Sequence, residues 1–102
     1  MRQVPRDVVK DAVTYVFLME DTAKGAGISE AARTREMSAV NKVVKAAGGE
    51  CRLYVTGGSD FQYVSVITGV SAAAAIKIAV QIEKTGNVKA TMLSGLELFS
   101  SR

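Results

Sequence analysis

The stretch Leu53-Tyr-Val-Thr-Gly-Gly-Ser-Asp-Phe-Gln-Tyr-Val-Ser-Val-Ile67 constrains this chain more than any other. It has the composition of two strands, broken once by Gly57-Gly58-Ser59-Asp60. Glycine supplies the positive φ that a tight hairpin needs, and an Asp in such a turn satisfies backbone amides. Strands joined this tightly pair antiparallel. Glu50 to Thr56 is therefore expected as strand two and Phe61 to Thr68 as strand three. Cys51, Leu53 and Val55 share one face of strand two, and Arg52, Tyr54 and Thr56 share the other.

The hairpin sits near the centre of a pseudo-symmetric pattern. Before it, Ala12 to Glu20 is short and rich in β-branched and aromatic residues, which predicts strand one. Both its faces are apolar: Val13, Tyr15, Phe17 and Met19 on one, Val16 and Leu18 on the other. A loop with Gly25 and Gly27 follows. Ser29 is placed to cap a helix from Glu30 to Ala47, whose stripe is Met37, Val40, Val44 and Ala47. Gly48-Gly49 ends that helix. After the hairpin, Ser71 can cap a second helix, Ala72 to Lys84, with a wide apolar arc. Val88 to Phe99 is the last expected strand, with Gly95 as a bend or bulge.

The order is β-α-β-β-α-β, the split unit of ferredoxin-like α+β folds. It predicts a four-stranded antiparallel sheet with both helices on one face. With 102 residues there is material for one domain, expected over 12–99. Residues 1–11, with Pro5 and mixed charge, read as an extension, and 100–102 as a tail. Two helices cover one side of such a sheet, yet its strands are apolar on both. A second copy packed face to face is the simplest cover, so a homodimer is expected, with the wide arc of helix two available for a larger oligomer.

Composition narrows the chemistry. The chain has no histidine, which removes the usual neutral-pH base and the commonest metal ligand. Its one cysteine, Cys51, makes no intrachain disulfide and fits a reducing compartment. No metal site and no cofactor are expected. The first residues have neither the apolar core of a signal peptide nor the length of a membrane span, so the expected location is cytoplasmic. A net charge of +3, spread over 13 basic and 10 acidic residues, gives little attraction for nucleic acid.

Several short landmarks run in order along the chain: Thr14-Tyr15, Thr22 with Gly25, Gly48-Gly49, Tyr54 with Gly58-Ser59-Asp60, and Gly86-Asn87-Val88-Lys89. Together they resemble the GYD domain family. The family's Gly-Tyr-Asp triplet is met by Gly58 and Asp60, with Ser59 in place of the Tyr. The resemblance implies a dimeric α/β barrel. The family has no agreed activity, so the match speaks to fold rather than reaction.

Candidate ligand-binding residues follow from the side chains themselves. Tyr15, Phe17, Tyr54 and Tyr63 combine apolar bodies with, for the tyrosines, a hydroxyl, and can line a pocket for a small, mostly apolar metabolite. Gly58 and Asp60 can receive a polar group at the hairpin end. The expected role is a binding, accessory or regulatory module. The alternative is a cofactor-free isomerase or monooxygenase like those of related dimeric α/β barrels, with proton transfer by Asp60, Glu20 or a tyrosine. A third reading is single-stranded RNA binding, since Phe17, Phe61 and Tyr63 loosely resemble the stacking aromatics of RRM domains. Ser59-Asp60 stands against it, where that family places a cation before glycine.

Overall fold

The structure, a computed structural model, describes residues 13–57, 61–96 and 101. The extension 1–11, the turn residues Gly58, Ser59 and Asp60, and the end of the last expected strand lie outside the described residues.

Among the described residues, four strands and two helices follow in the expected order: β1 (Val13–Asp21), α1 (Glu30–Ala46), β2 (Glu50–Val55), β3 (Tyr63–Thr68), α2 (Ala72–Glu83) and β4 (Val88–Leu96). The sheet is ordered β2-β3-β1-β4 with every neighbour antiparallel. This is the ferredoxin-like arrangement. β1 lies between β3 and β4 and is paired along both of its edges.

The register sorts the two faces. Tyr15 pairs with Ile67, Phe17 with Ser65 and Met19 with Tyr63. Tyr15, Phe17, Met19, Ser65 and Ile67 are all buried, as are Val44 of α1 and Ala75, Ile78 and Ile82 of α2. The core therefore lies between this face and the two helices. The other face carries Val16, Leu18, Val64 and Val66 half-buried, with Tyr54 and Leu93 exposed. It is apolar and has no element over it among the described residues.

Both helices start as their sequences indicate. Ser29 Oγ accepts from the Ala32 amide and Ser71 Oγ from the Ala74 amide, each at 3.1 Å. Such caps satisfy amides that have no partner within the helix. Gly48 takes a left-handed φ of 80° after α1. Gly49 then passes so close to the end of β3 that a Cβ would lie 2.8 Å from the Thr68 carbonyl oxygen and 2.4 Å from Val70. The Gly48-Gly49 pair thus serves as both helix stop and close approach.

Some local details depart from expectation. Gly25–Gly27 is a single 3-10 turn rather than open loop. The regular ladder of β3 begins at Tyr63, two residues later than Phe61. Gln62 still bonds to both neighbours: its amide donates to the Met19 carbonyl and its carbonyl accepts from the Thr56 amide, each at 2.9 Å, while its side-chain oxygen accepts from Asp21 N–H. Gly95 makes no bulge: it pairs with Thr14, and the β1–β4 register runs unbroken on both sides of it.

Candidate functional site

The β1–α1 and α2–β4 loops lie side by side and are stitched together. Thr22 donates from its amide to the Asn87 carbonyl at 2.9 Å and from its hydroxyl to the Gly86 carbonyl at 2.7 Å. Lys24 Nζ donates to the Thr85 carbonyl at 2.7 Å. Gly25 lies against Asn87 so tightly that a Cβ would sit 1.8 Å from its carbonyl oxygen. Four of the landmark residues, Thr22, Gly25, Gly86 and Asn87, thus do structural work at this seam.

The seam anchors one side of a cleft. Glu36 Oε1, on α1, accepts from Thr85 Oγ1 and Asn87 Nδ2, each at 2.5 Å. One turn earlier, Arg33 donates to both oxygens of Asp21, at 2.9 and 3.2 Å, and to the Gly25 carbonyl at 3.3 Å. Its guanidinium carbon lies 5.3 Å from the centre of the Tyr63 ring, within cation–π range. The hydrogen bond to Asp21 is the main influence raising the Arg33 pKa above its ordinary value, so Arg33 stays charged.

Between α1 and the β2–β3 side of the sheet is a cleft of about 360 Å³. Met19, Cys51, Leu53, Ile82 and Val88 give it an apolar floor, and Met37 and Val40 an apolar wall. Arg33, Glu36 and Tyr63 also line it, as does Ser65. Ser65 is occupied within the protein, with its Oγ 3.0 Å from Cys51 Sγ. The cleft exists because α1 covers the outer strand incompletely, leaving Leu53 40% exposed on the helix side. A second hollow of about 340 Å³ between the helices is lined by Arg35, Glu36, Gln81 and Thr85 among others.

The residues singled out from sequence do not converge on one pocket. Tyr15 and Phe17 belong to the packed core. Tyr63 lines the cleft. Tyr54 pairs with Val64 and lies on the uncovered face, on the far side of the sheet. Gly58 and Asp60 are outside the described residues. Arg33 and Glu36 carry no site signal in the sequence, and Met37 reads only as part of the apolar stripe of α1, yet all three line the cleft. Arg33, Met37 and Val40 recur at i, i+4 and i+7 on α1, a periodic signal in which the arginine reads as ordinary helix surface. Its meaning depends on Asp21 and Tyr63, 12 and 30 positions away. Among the described residues, no three of His, Cys, Asp or Glu gather in a way that could hold a metal ion. No helix among them is long and apolar enough to cross a membrane.

No protein-family model matches the sequence, and no curated protein does. The fold, by contrast, has known relatives. A chlorite dismutase-like protein superposes with a TM-score of 0.62 at 14% identity, over 83% of this chain and 44% of its own. A feast or famine regulatory protein from M. tuberculosis, complexed with L-methionine, gives 0.60 at 19% identity, over 100% and 63%. The leucine response regulatory protein of Mycobacterium tuberculosis gives 0.59 at 19%, over 99% and 62%. The chain therefore spans between about two fifths and two thirds of the length of these structures. At such identities the likeness is one of fold.

Proposed function

We propose that this chain is a small binding or regulatory module of the GYD kind, acting as a homodimer in the cytoplasm, whose ligand is a small, mostly apolar metabolite held in the cleft between α1 and the sheet. The observation that carries the reading is the cleft itself. Its volume is at the low end of the roughly 300–1,000 Å³ usual for ligand pockets, and an apolar floor with a few polar groups at one end is their usual chemistry. The methionine held by one of the structural relatives gives the reading a precedent on this fold. The homodimer rests on the uncovered sheet face, where Val16, Leu18, Val64, Val66, Tyr54 and Leu93 form an apolar surface that a second copy would cover.

The same face argues against single-stranded RNA. Base stacking needs rings on the open side of the sheet. Phe17 is fully buried under the helices and Tyr63 lies on the same side, so neither of these rings is on the open face.

Two measurements test the reading. Amide spectra recorded with a library of small aromatic and aliphatic compounds should show shifts concentrated at Met37, Leu53, Tyr63 and Ser65. A library that leaves these signals unmoved refutes the cleft as a ligand site. Light scattering should give a mass of 2 × 10.8 = 21.6 kDa or a multiple of it, and a stable 10.8 kDa species refutes the homodimer.

A further inference from the structure

The polar end of the cleft has an unusual balance of charge and unspent hydrogen-bonding capacity. Arg33 has five N–H donors. Asp21 takes one from Nη1 and one from Nη2, and the Gly25 carbonyl takes the second from Nη2. One N–H on Nη1 and that on Nε have no acceptor among the described residues. The positive charge, however, is already matched by Asp21 in a two-pronged pair. Glu36, three residues along the same helix, brings a further negative charge to the cleft wall, with its Oε1 committed to Thr85 and Asn87. Donors are thus available where no net positive charge is.

We propose that the cleft selects an uncharged, mostly apolar molecule carrying one carbonyl-type oxygen, which accepts a hydrogen bond from one of the unspent donors of Arg33. This rests on reading the cleft as a ligand site. An anionic ligand must share the guanidinium with Asp21 and approach Glu36, paying repulsion in a partly desolvated site. A purely apolar ligand displaces water from Arg33 and leaves its donors unsatisfied. A neutral acceptor avoids both costs. The Tyr63 ring, stacked near the guanidinium, limits the approach and favours a flat molecule whose acceptor lies at its edge.

The test compares four probes of one shape against the unmodified protein by amide-shift titration: naphthalene, 2-acetylnaphthalene, 2-naphthoate and 2-(aminomethyl)naphthalene. The ketone is expected to bind roughly tenfold tighter than naphthalene, the size of one hydrogen bond to a charged donor. It is also expected to bind several-fold tighter than the carboxylate and the amine. In the double variant Asp21→Leu with Arg33→Met, which removes the donors together with both charges, the preference for ketone over naphthalene should fall to within about twofold. Equal affinity of ketone and naphthalene for the unmodified protein overturns the proposal while the cleft reading stands. Tightest binding of the carboxylate shows that Asp21 yields Arg33 to an anion, and tightest binding of the amine shows that Glu36 governs the site; either overturns it. The variant Leu53→Trp, which enlarges a side chain of the cleft floor, should weaken all four probes. Probes that it leaves unaffected, or that never shift cleft signals, sink the cleft reading and the proposal together.

Discussion

Replacing Gly25 by Ala is the sharpest probe of how this molecule is assembled. The new methyl carbon would lie 1.8 Å from the Asn87 carbonyl oxygen, 2.6 Å from its carbonyl carbon and 2.9 Å from its Cα. These are backbone atoms at the entry to β4, so no rotamer change relieves the clash. One of the two loops must move. The displacement breaks the Thr22 amide bond to Asn87 and strains those from Thr22 Oγ1 to Gly86 and Lys24 Nζ to Thr85. At about 0.5–1.5 kcal/mol each, losing two or three gives a destabilisation of about 1–4.5 kcal/mol. In a domain of this size that lowers Tm by about 5–35 °C. Gly27, two residues on, is the internal control. A Cβ there meets nothing within 4 Å and its φ is not left-handed, so Gly27→Ala should be neutral or stabilising by up to about 1 kcal/mol. Urea unfolding of both variants, followed by circular dichroism, measures the difference. Equal midpoints for Gly25→Ala and the parent protein would refute the stitched seam.

Phe17 is fully buried at the centre of the sheet, and Phe17→Ala should cost about 3–5 kcal/mol in the same unfolding assay. Asp21→Asn should cost about 1–3 kcal/mol, because Asp21 is only 10% exposed and the Arg33 charge loses its partner; calorimetry reads this as a lower Tm with the fold intact. Val66→Lys on the uncovered sheet face should leave the monomer folded while shifting the solution mass towards 10.8 kDa, and an unchanged larger mass would place the interface elsewhere. Gly95→Thr, in regular pairing with Thr14 and with open space at its Cβ, should stabilise a monomer by about 0.5–1 kcal/mol, measured by urea unfolding of the Val66→Lys background.

The elements were legible because each rests on local chemistry. Alternating β-branched and aromatic residues produced β1, serines placed one residue ahead of apolar periodicity marked both helix starts, and the glycine pair after Ala47 marked a stop. The element order, with its two long crossovers and one tight hairpin, then left few topologies, and ferredoxin-like is the one observed. Sequence also showed that β1 is apolar on both sides, hence that one sheet face lacks a cover.

Tertiary structure alone decided what the side chains are for. Tyr15, Phe17, Tyr54 and Tyr63 look alike as strand aromatics, but strand parity and strand position send two to the core, one to the cleft and one to the opposite face. Arg33 looks like helix surface until the fold brings Asp21 and Tyr63 beside it. Gly25 reads as loop flexibility, whereas its reason is a carbonyl group 62 positions later. Propensity and periodicity act within a few residues of chain, so they are written in the sequence. Burial, pairing and clefts arise from groups that meet only when distant elements pack, and the amount by which α1 fails to cover β2 is a property of that packing.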